Sequence, residues 1–324
     1  IKSPWKNASK DFIYVLKEKN IDLPDSLKKF KIIDVPIQKI VATSTTHIPA
    51  IEMLDVLPSL IGFSGLNYIS SPTTRARINN QKIIEVGNNE SLNTEILLSI
   101  QPDIIMAFGV NGSNNTLENL QKNGLNIIYN GDWLEENPLG KAEWIKVFGA
   151  LYLKNSQANL LFSNIENEYK KTQTIALKNQ TKPTIMSGAM YQNTWYSPAG
   201  NSWMSYFFKD ANANYIFANE TSQGSLALPF ETVLKNCKDA NFWIGTSQFT
   251  SFKEMKNNNE NYAKFKSFQT KKVFTTSLNK GATGGVIFYE TASQRPDLVL
   301  KDLVYILYQQ PKKHQLVFFN QLNE

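Results

Sequence analysis

Two passages of the chain repeat one pattern, and that repeat restricts the fold more than any other feature. Residues 91–107 read SLNTEILLSIQPDIIMA and residues 227–245 read ALPFETVLKNCKDANFWIG. Each passes from a turn to a glutamate (Glu95, Glu231; 231 − 95 = 136 positions apart) and then to apolar residues at helical spacing (Leu97 and Leu98; Val233 and Leu234). Each then has an aspartate eight positions after the glutamate (Asp103, Asp239), followed by an apolar run suited to a buried strand. A helix feeding a buried strand, twice over, predicts two α/β lobes built alike. Each lobe would carry one carboxylate in the first turn of an equivalent helix, where the helix dipole favours it.

The rest of the chain fits that plan. After a polar, lysine-rich stretch over residues 1–39, the pattern predicts strands at 40–42, 60–63, 82–86, 104–108 and 125–129, with helices near 49–57 and 117–123. Alternation of this kind means parallel strands with covering helices, and ligands then sit at the carboxyl ends of the strands. From Pro138 the period changes, and residues 156–178 carry Leu160, Leu161, Ile165, Tyr169 and Ala176 at helical spacing. At 1.5 Å per residue this helix would extend roughly 34 Å, enough for a rigid strut between lobes. The second half restarts after Pro183 with a strand at 184–186, an aromatic turn at 195–203, strands at 242–244 and 273–275, and a last helix over 297–308. The expected division is a first lobe over 1–150, a connecting helix within 151–180 and a second lobe over 181–324.

Composition excludes several classes. No apolar run approaches the roughly 20 residues that span a bilayer. The net charge of +6 comes from scattered lysines, with no basic stripe on a known nucleic-acid-binding module. Cys237 is the single cysteine, read as a buried small hydrophobe, so neither a disulfide framework nor a cysteine metal cluster is available. His47 and His314 are the two histidines, too few for the three-histidine site of a receptor for free zinc or manganese. Of 34 basic residues only Arg75, Arg77 and Arg295 are arginine, the side chain that grips carboxylate bidentately. The chain begins at Ile1, so a signal segment and a lipid-anchoring cysteine are expected upstream.

Several motifs together resemble one family. Val86-Gly87, Ser91 to Glu95 and Gln101-Pro102-Asp103-Ile104-Ile105 resemble the first-lobe signature of substrate-binding proteins for iron-siderophore and cobalamin ABC importers. Gly140 to Trp144, Tyr196 to Ser202, Ser225 to Glu231, Gly284-Gly285 with Phe288-Tyr289-Glu290, and Arg295-Pro296-Asp297 extend the likeness over residues 37–310. The resemblance implies an α/β fold of two Rossmann-like lobes with parallel central sheets joined by a single long backbone helix, with little hinge motion. It implies a ligand held between the lobes, and docking of Glu95 and Glu231 onto arginine pockets of a membrane permease dimer. It implies an extracytoplasmic (periplasmic) lipoprotein, expected to be a monomer without a resident cofactor or catalytic residues.

Loops at the strand ends would face the ligand. They supply Thr45, Thr46, His47, Tyr68, Arg75, Arg77, Asn88, Asn89 and Phe108 from the first lobe, and Met190, Tyr191, Trp195, Tyr196, Leu228, Phe288, Tyr289 and Arg295 from the second. Aromatic walls with a few orienting polar groups suit a wide chelate or macrocycle. The arginines favour an anionic ferric siderophore or haem, whereas Trp195, Tyr196 and Tyr289 would equally flank a corrinoid. His47 is either a metal ligand or a hydrogen-bonded loop residue. A two-domain enzyme of transferase type is the rival from another class, but the turn after the first strand, Thr43 to Thr46, is rich in hydroxyls rather than phosphate-binding glycines.

Overall fold

The computed structural model describes residues 1, 2, 4, 5, 11–89, 91–108 and 115–324. Short apolar runs flanked by amphipathic helices produce two parallel sheets. The first has the order Ile84–Glu85, Leu60–Phe63, Ile40–Ala42, Ile104–Phe108, Ile127–Asn130, all parallel. Its central strand is buried at every position, because helices cover both faces of such a sheet. The second has the order Asn214–Tyr215, Thr184–Met186, Phe242–Ile244, Val273–Thr275, and is closed by the antiparallel edge strand Asn320–Gln321.

Between them runs the unbroken 23-residue helix Asn155–Leu177. It belongs to both cores. Ala158, Phe162 and Ile165 pack into the first lobe, while Tyr169 and Ala176, one to three turns further on, pack into the second. Tyr169 Oη donates to Asp210 Oδ2 at 2.6 Å, and Asn212 Nδ2 donates to the Ala176 carbonyl at 3.2 Å. A strut fastened in two cores leaves little freedom for hinge bending.

The repeat holds in backbone, with one correction in register. Asp103 stands just before its strand and accepts from the backbone N–H groups of Gln38 and Lys39 at 2.6 and 2.8 Å, aligning two strand entries. Its counterpart is Asn241, not Asp239. The Asn241 Oδ1 accepts from Thr184 N and Oγ1, both at 2.9 Å, and the Asn241 N–H donates back to Thr184 Oγ1 at 3.0 Å. Asp239 is exposed two positions earlier.

Two further features depart from the sequence expectations. Residues 1–39 include a parallel pair, Tyr14–Glu18 with Lys31–Val35, whose Ile33 and Val35 enter the first-lobe core. The aromatic turn at 195–203 begins as a strand, Thr194–Pro198, centred in an antiparallel sheet with Ala189–Tyr191 and Ser225–Leu228. Cys237 is buried, which pushes its thiol up to about 12.

Candidate ligand cleft between the lobes

The cleft is assembled from strand ends, where parallel sheets place functional loops. On the first lobe, Ile40–Ala42 runs into Thr43, whose Oγ1 accepts from the Phe108 N–H at 2.8 Å and so ties two loops together. Ser44 caps the next turn by accepting from Thr46 N at 3.3 Å. Leu60–Phe63 ends at Ser64 and Gly65. Gly65 has φ +78°, and a Cβ there would lie 2.7 Å from the Tyr68 ring, so glycine permits both the left-handed turn and the placement of Tyr68. The Glu85 carboxylate accepts from Gly65 N and Leu66 N, both at 2.8 Å, and holds that turn. Ser64 Oγ donates to Asn89 Oδ1 at 3.1 Å.

The second lobe closes on these loops through residues 281–290. Gly285 lies so near the first lobe that an added Cβ would stand 2.8 Å from Ser70 Oγ and 2.9 Å from the Tyr68 carbonyl. Beside it, Glu290 is buried and accepts from Ser70 N at 2.6 Å and Ser71 N at 2.8 Å, a contact between lobes. Burial outweighs those two hydrogen bonds, and neighbouring Glu52 adds repulsion, so Glu290 is pushed up to about 7.

Two chambers lie along the strand ends, and a third, about 300 Å³, lies between the lobes on the other side of Glu290, with Glu52, Ser71 and Arg295 in its wall. The smaller strand-end chamber, about 280 Å³, has hydroxyl and amide walls (Thr43, Ser44, Thr45, Ser64, Asn88, Asn89), with Phe63, Phe108, Tyr68 and Tyr289 as its aromatic surface and Glu290 at its edge. Tyr68 and Tyr289, one from each lobe, are 72% and 66% exposed and free to meet a ligand face. The larger, about 430 Å³, lies between Trp133, Glu135 and Glu136 of the first lobe and Asn201, Trp203 and Gln223 of the second. Phe108 in one chamber and Trp133 in the other have ring centroids 6.1 Å apart, which makes the chambers neighbours in one cleft. Gln223 Nε2 donates to Glu136 Oε1 across the lobes.

Of the residues predicted from sequence, Thr45, Tyr68, Asn88, Asn89, Phe108 and Tyr289 converge on the smaller chamber. Thr46 is adjacent, with its hydroxyl 2.9 Å from Ser44 Oγ. Tyr191 and Tyr196 are exposed with ring centroids 6.5 Å apart on the second lobe's antiparallel sheet, and neither is among the residues lining the chambers. Met190 and Leu228, on the same sheet, are partly buried against the second core.

Three aromatic or imidazole positions need correction. His47 is wholly buried, 6.0 Å from the Phe148 ring, and burial lowers its pKa to about 4. Trp195 is wholly buried as well, its Nε1 donating to the Ser187 carbonyl at 3.0 Å. Phe288 belongs to the core beside Phe318 and Phe319. The arginines are also committed elsewhere: Arg75 Nη1 donates to the Leu66 carbonyl at 2.7 Å, Arg77 Nη2 to the Pro58 carbonyl at 3.1 Å, and Arg295 forks onto Asp297 at 2.9 and 2.7 Å. Arg75 and Arg77 line none of the three chambers, and Arg295 lines only the third, beside Glu290.

Sequence reasoning missed Trp133, Trp203, Glu135, Glu136 and Glu290 as cleft residues. Glu290 was visible in the Phe288-Tyr289-Glu290 triplet, but the others sit where the helical period changes near Pro138 and in the misread aromatic turn. On the lobe tops, Glu95 and Glu231 are exposed in the first turns of Thr94–Ile100 and Phe230–Cys237, and neither joins a salt bridge among the described residues.

Two α/β lobes, a shared backbone helix and a cleft at the strand ends define a helical-backbone, class III periplasmic binding protein. The chain belongs to the periplasmic binding protein family, whose model matches residues 40–278. An uncharacterized lipoprotein of Methanocaldococcus jannaschii is 27% identical over 322 residues, covering 94% of this chain and 75% of that relative. A possible iron-binding (periplasmic solute-binding) protein from Staphylococcus epidermidis superposes with a TM-score of 0.66 at 17% identity, covering 84% of this chain and 99% of that one. A periplasmic heme binding protein from Pseudomonas aeruginosa gives 0.65 at 16% identity, over 89% and 99% of the two chains. Among the described residues no helix is long and apolar enough to cross a membrane.

Proposed function

We propose that the protein is the extracytoplasmic solute-binding component of an ABC importer. It captures a metal chelate, a ferric siderophore or haem, or a cobalamin-type corrinoid in the cleft and delivers it to a membrane permease dimer. The observation that carries this reading is a cleft with exposed tyrosines and a row of hydroxyls and amides, set between lobes whose outer helices each offer an exposed first-turn glutamate. Tyr68 and Tyr289 provide the flat faces, and the smaller chamber's hydroxyls and amides provide orientation. Glu95 and Glu231 serve the permease, presenting one carboxylate per lobe on a frame fastened by the Asn155–Leu177 helix. The protein acts as a monomer held at the membrane by a lipid anchor.

A receptor for free zinc or manganese would need converging ligands, and no group of three His, Cys, Asp or Glu converges among the described residues. Absorption spectra and native mass spectra of the protein after exposure to haem, corrinoids and ferric siderophores provide the test. A stoichiometric complex with an unaltered ligand is expected. Chemical turnover of a bound compound would favour the two-domain transferase reading instead.

A further inference from the structure

Building on the reading of the cleft as a cargo site, we infer that the cargo is an uncharged or cationic metal complex and that chelates bearing free carboxylates are selected against. The chain as a whole is +6, yet its cleft has the opposite character. Among the described residues, neither strand-end chamber has a lysine or arginine in its lining, and Arg295 lines only the third chamber, where Asp297 holds its guanidinium. The three arginines are engaged by two backbone carbonyls and by Asp297.

Acidic groups, by contrast, are on the walls. Glu135 and Glu136 are half-buried on the larger chamber, whereas Glu290, at the edge of the smaller, is raised to about 7 by burial and carries only part of a charge near neutral pH. Glu135 accepts from Trp144 Nε1 at 3.3 Å and Glu136 accepts from Gln223, so neutral partners hold both carboxylates in place. Lys141 is a cation close to the larger chamber. Its Nζ donates to the Asp132 carbonyl at 2.9 Å and lies 5.4 Å from the Trp203 ring, and the Asp132 and Glu135 carboxylates already oppose its charge. Burial lowers its pKa, and the two carboxylates only partly offset that effect.

An incoming carboxylate would lose water, find no guanidinium fork and face like charges in a confined space. An ammonium or the faces of a neutral chelate would meet carboxylates and tyrosine rings instead. The hydroxyls and amides of the smaller chamber can serve the carbonyl and amide groups of such a ligand without any charge.

Matched ligand pairs isolate charge from shape. Ferrioxamine B, with its free ammonium, is compared with its N-succinyl derivative, and cyanocobalamin with its monocarboxylic acid, while haem and ferric citrate serve as anionic references. Affinities are read by tryptophan fluorescence and calorimetry at low and high salt. In the pair that binds, the acid member should be weaker by about 10-fold to 100-fold, with the gap shrinking in salt and in Glu135→Gln/Glu136→Gln, whose melting temperature should match the wild type. An acid member bound as tightly as its partner, or binding of haem or ferric citrate alone, overturns the charge inference and leaves the chelate reading standing. Binding of none of these ligands overturns the chelate-or-corrinoid reading itself.

Discussion

The two lobes reach one architecture through different packing chemistry. The first is aliphatic, with Ile40, Ile104, Ile105, Leu60 and Leu97 buried on the two sides of its sheet. The second is aromatic: the Trp195 ring lies 5.3 Å from Trp243, 5.9 Å from Tyr262 and 5.8 Å from Phe265. Their strand-entry clamps differ likewise, a carboxylate at Asp103 and an amide at Asn241. What repeats is a demand on the backbone, that two strand entries be held level, and any acceptor of the right reach can meet it. The lobe tops, by contrast, keep the same exposed residue in each first turn, Glu95 and Glu231.

The largest expected effect tests that last difference. Glu95→Ala/Glu231→Ala should abolish uptake in reconstituted vesicles while ligand affinity stays within about 2-fold, since close interfacial charge pairs couple by about 1.5 to 7 kcal/mol. Each single variant should lose transport in part. Normal transport by the double variant, or a large loss of ligand affinity, would show that the pair is misassigned.

Next come the cores. Trp195→Ala should cost about 3 to 5 kcal/mol in urea unfolding, and Ile104→Val in the first lobe only about 1 kcal/mol. A loss below about 1 kcal/mol for Trp195→Ala would mean that the aromatic cluster contributes little to the second lobe.

The contact between lobes adds a pH dependence. The folded-state pKa of Glu290 is raised, from 4.5 to about 7, so its proton stabilises the fold fully below pH 4.5 and that contribution is lost as pH rises through 7. Glu290→Gln is neutral throughout, so its stability relative to the wild type should rise by about 3 kcal/mol between pH 4.5 and pH 8. His47 acts in the opposite sense, since its depressed pKa makes the fold less stable as pH falls from 6.5 towards 4, but it is common to both proteins and cancels. Urea midpoints that shift in parallel across this range would falsify the assignment.

The smallest effect separates the two clamps. Asn241→Ala should cost about 2 kcal/mol and Asp103→Ala about 1 kcal/mol, because the Gln38 and Lys39 N–H groups are reached by water whereas the Thr184 partners are partly buried. Equal losses in chemical denaturation would mean that exposure is not what distinguishes them.

Much of the fold was legible in the chain. The strands at 60–63, 184–186, 242–244 and 273–275 agree residue for residue with Leu60–Phe63, Thr184–Met186, Phe242–Ile244 and Val273–Thr275. The 23-residue helix Asn155–Leu177 begins and ends one position earlier than the expected 156–178. These segments are periodic, and their burial is set by their own pattern. Thr194–Pro198 was misread because strand alternation there is hidden among turn-forming Ser, Pro and Gly, and because its pairing partner Ser225–Leu228 lies about thirty residues away.

The cleft was legible only in part. Loops at strand ends identified Tyr68, Asn88, Asn89, Phe108 and Tyr289 as chamber walls, because topology alone puts them there. His47, Trp195 and Phe288 occupy similar places in the chain but point into cores. The sequence by itself determined the two lobes, the strut and the paired glutamates, since these follow from periodicity and spacing that neighbours in the chain enforce. Only the tertiary structure decided which aromatic side chains are walls and which are core, where three arginines spend their hydrogen bonds, and that carboxylates rather than guanidinium groups border the two strand-end chambers. Those outcomes depend on which distant backbone carbonyl or ring a side chain meets first, and no local pattern encodes that meeting.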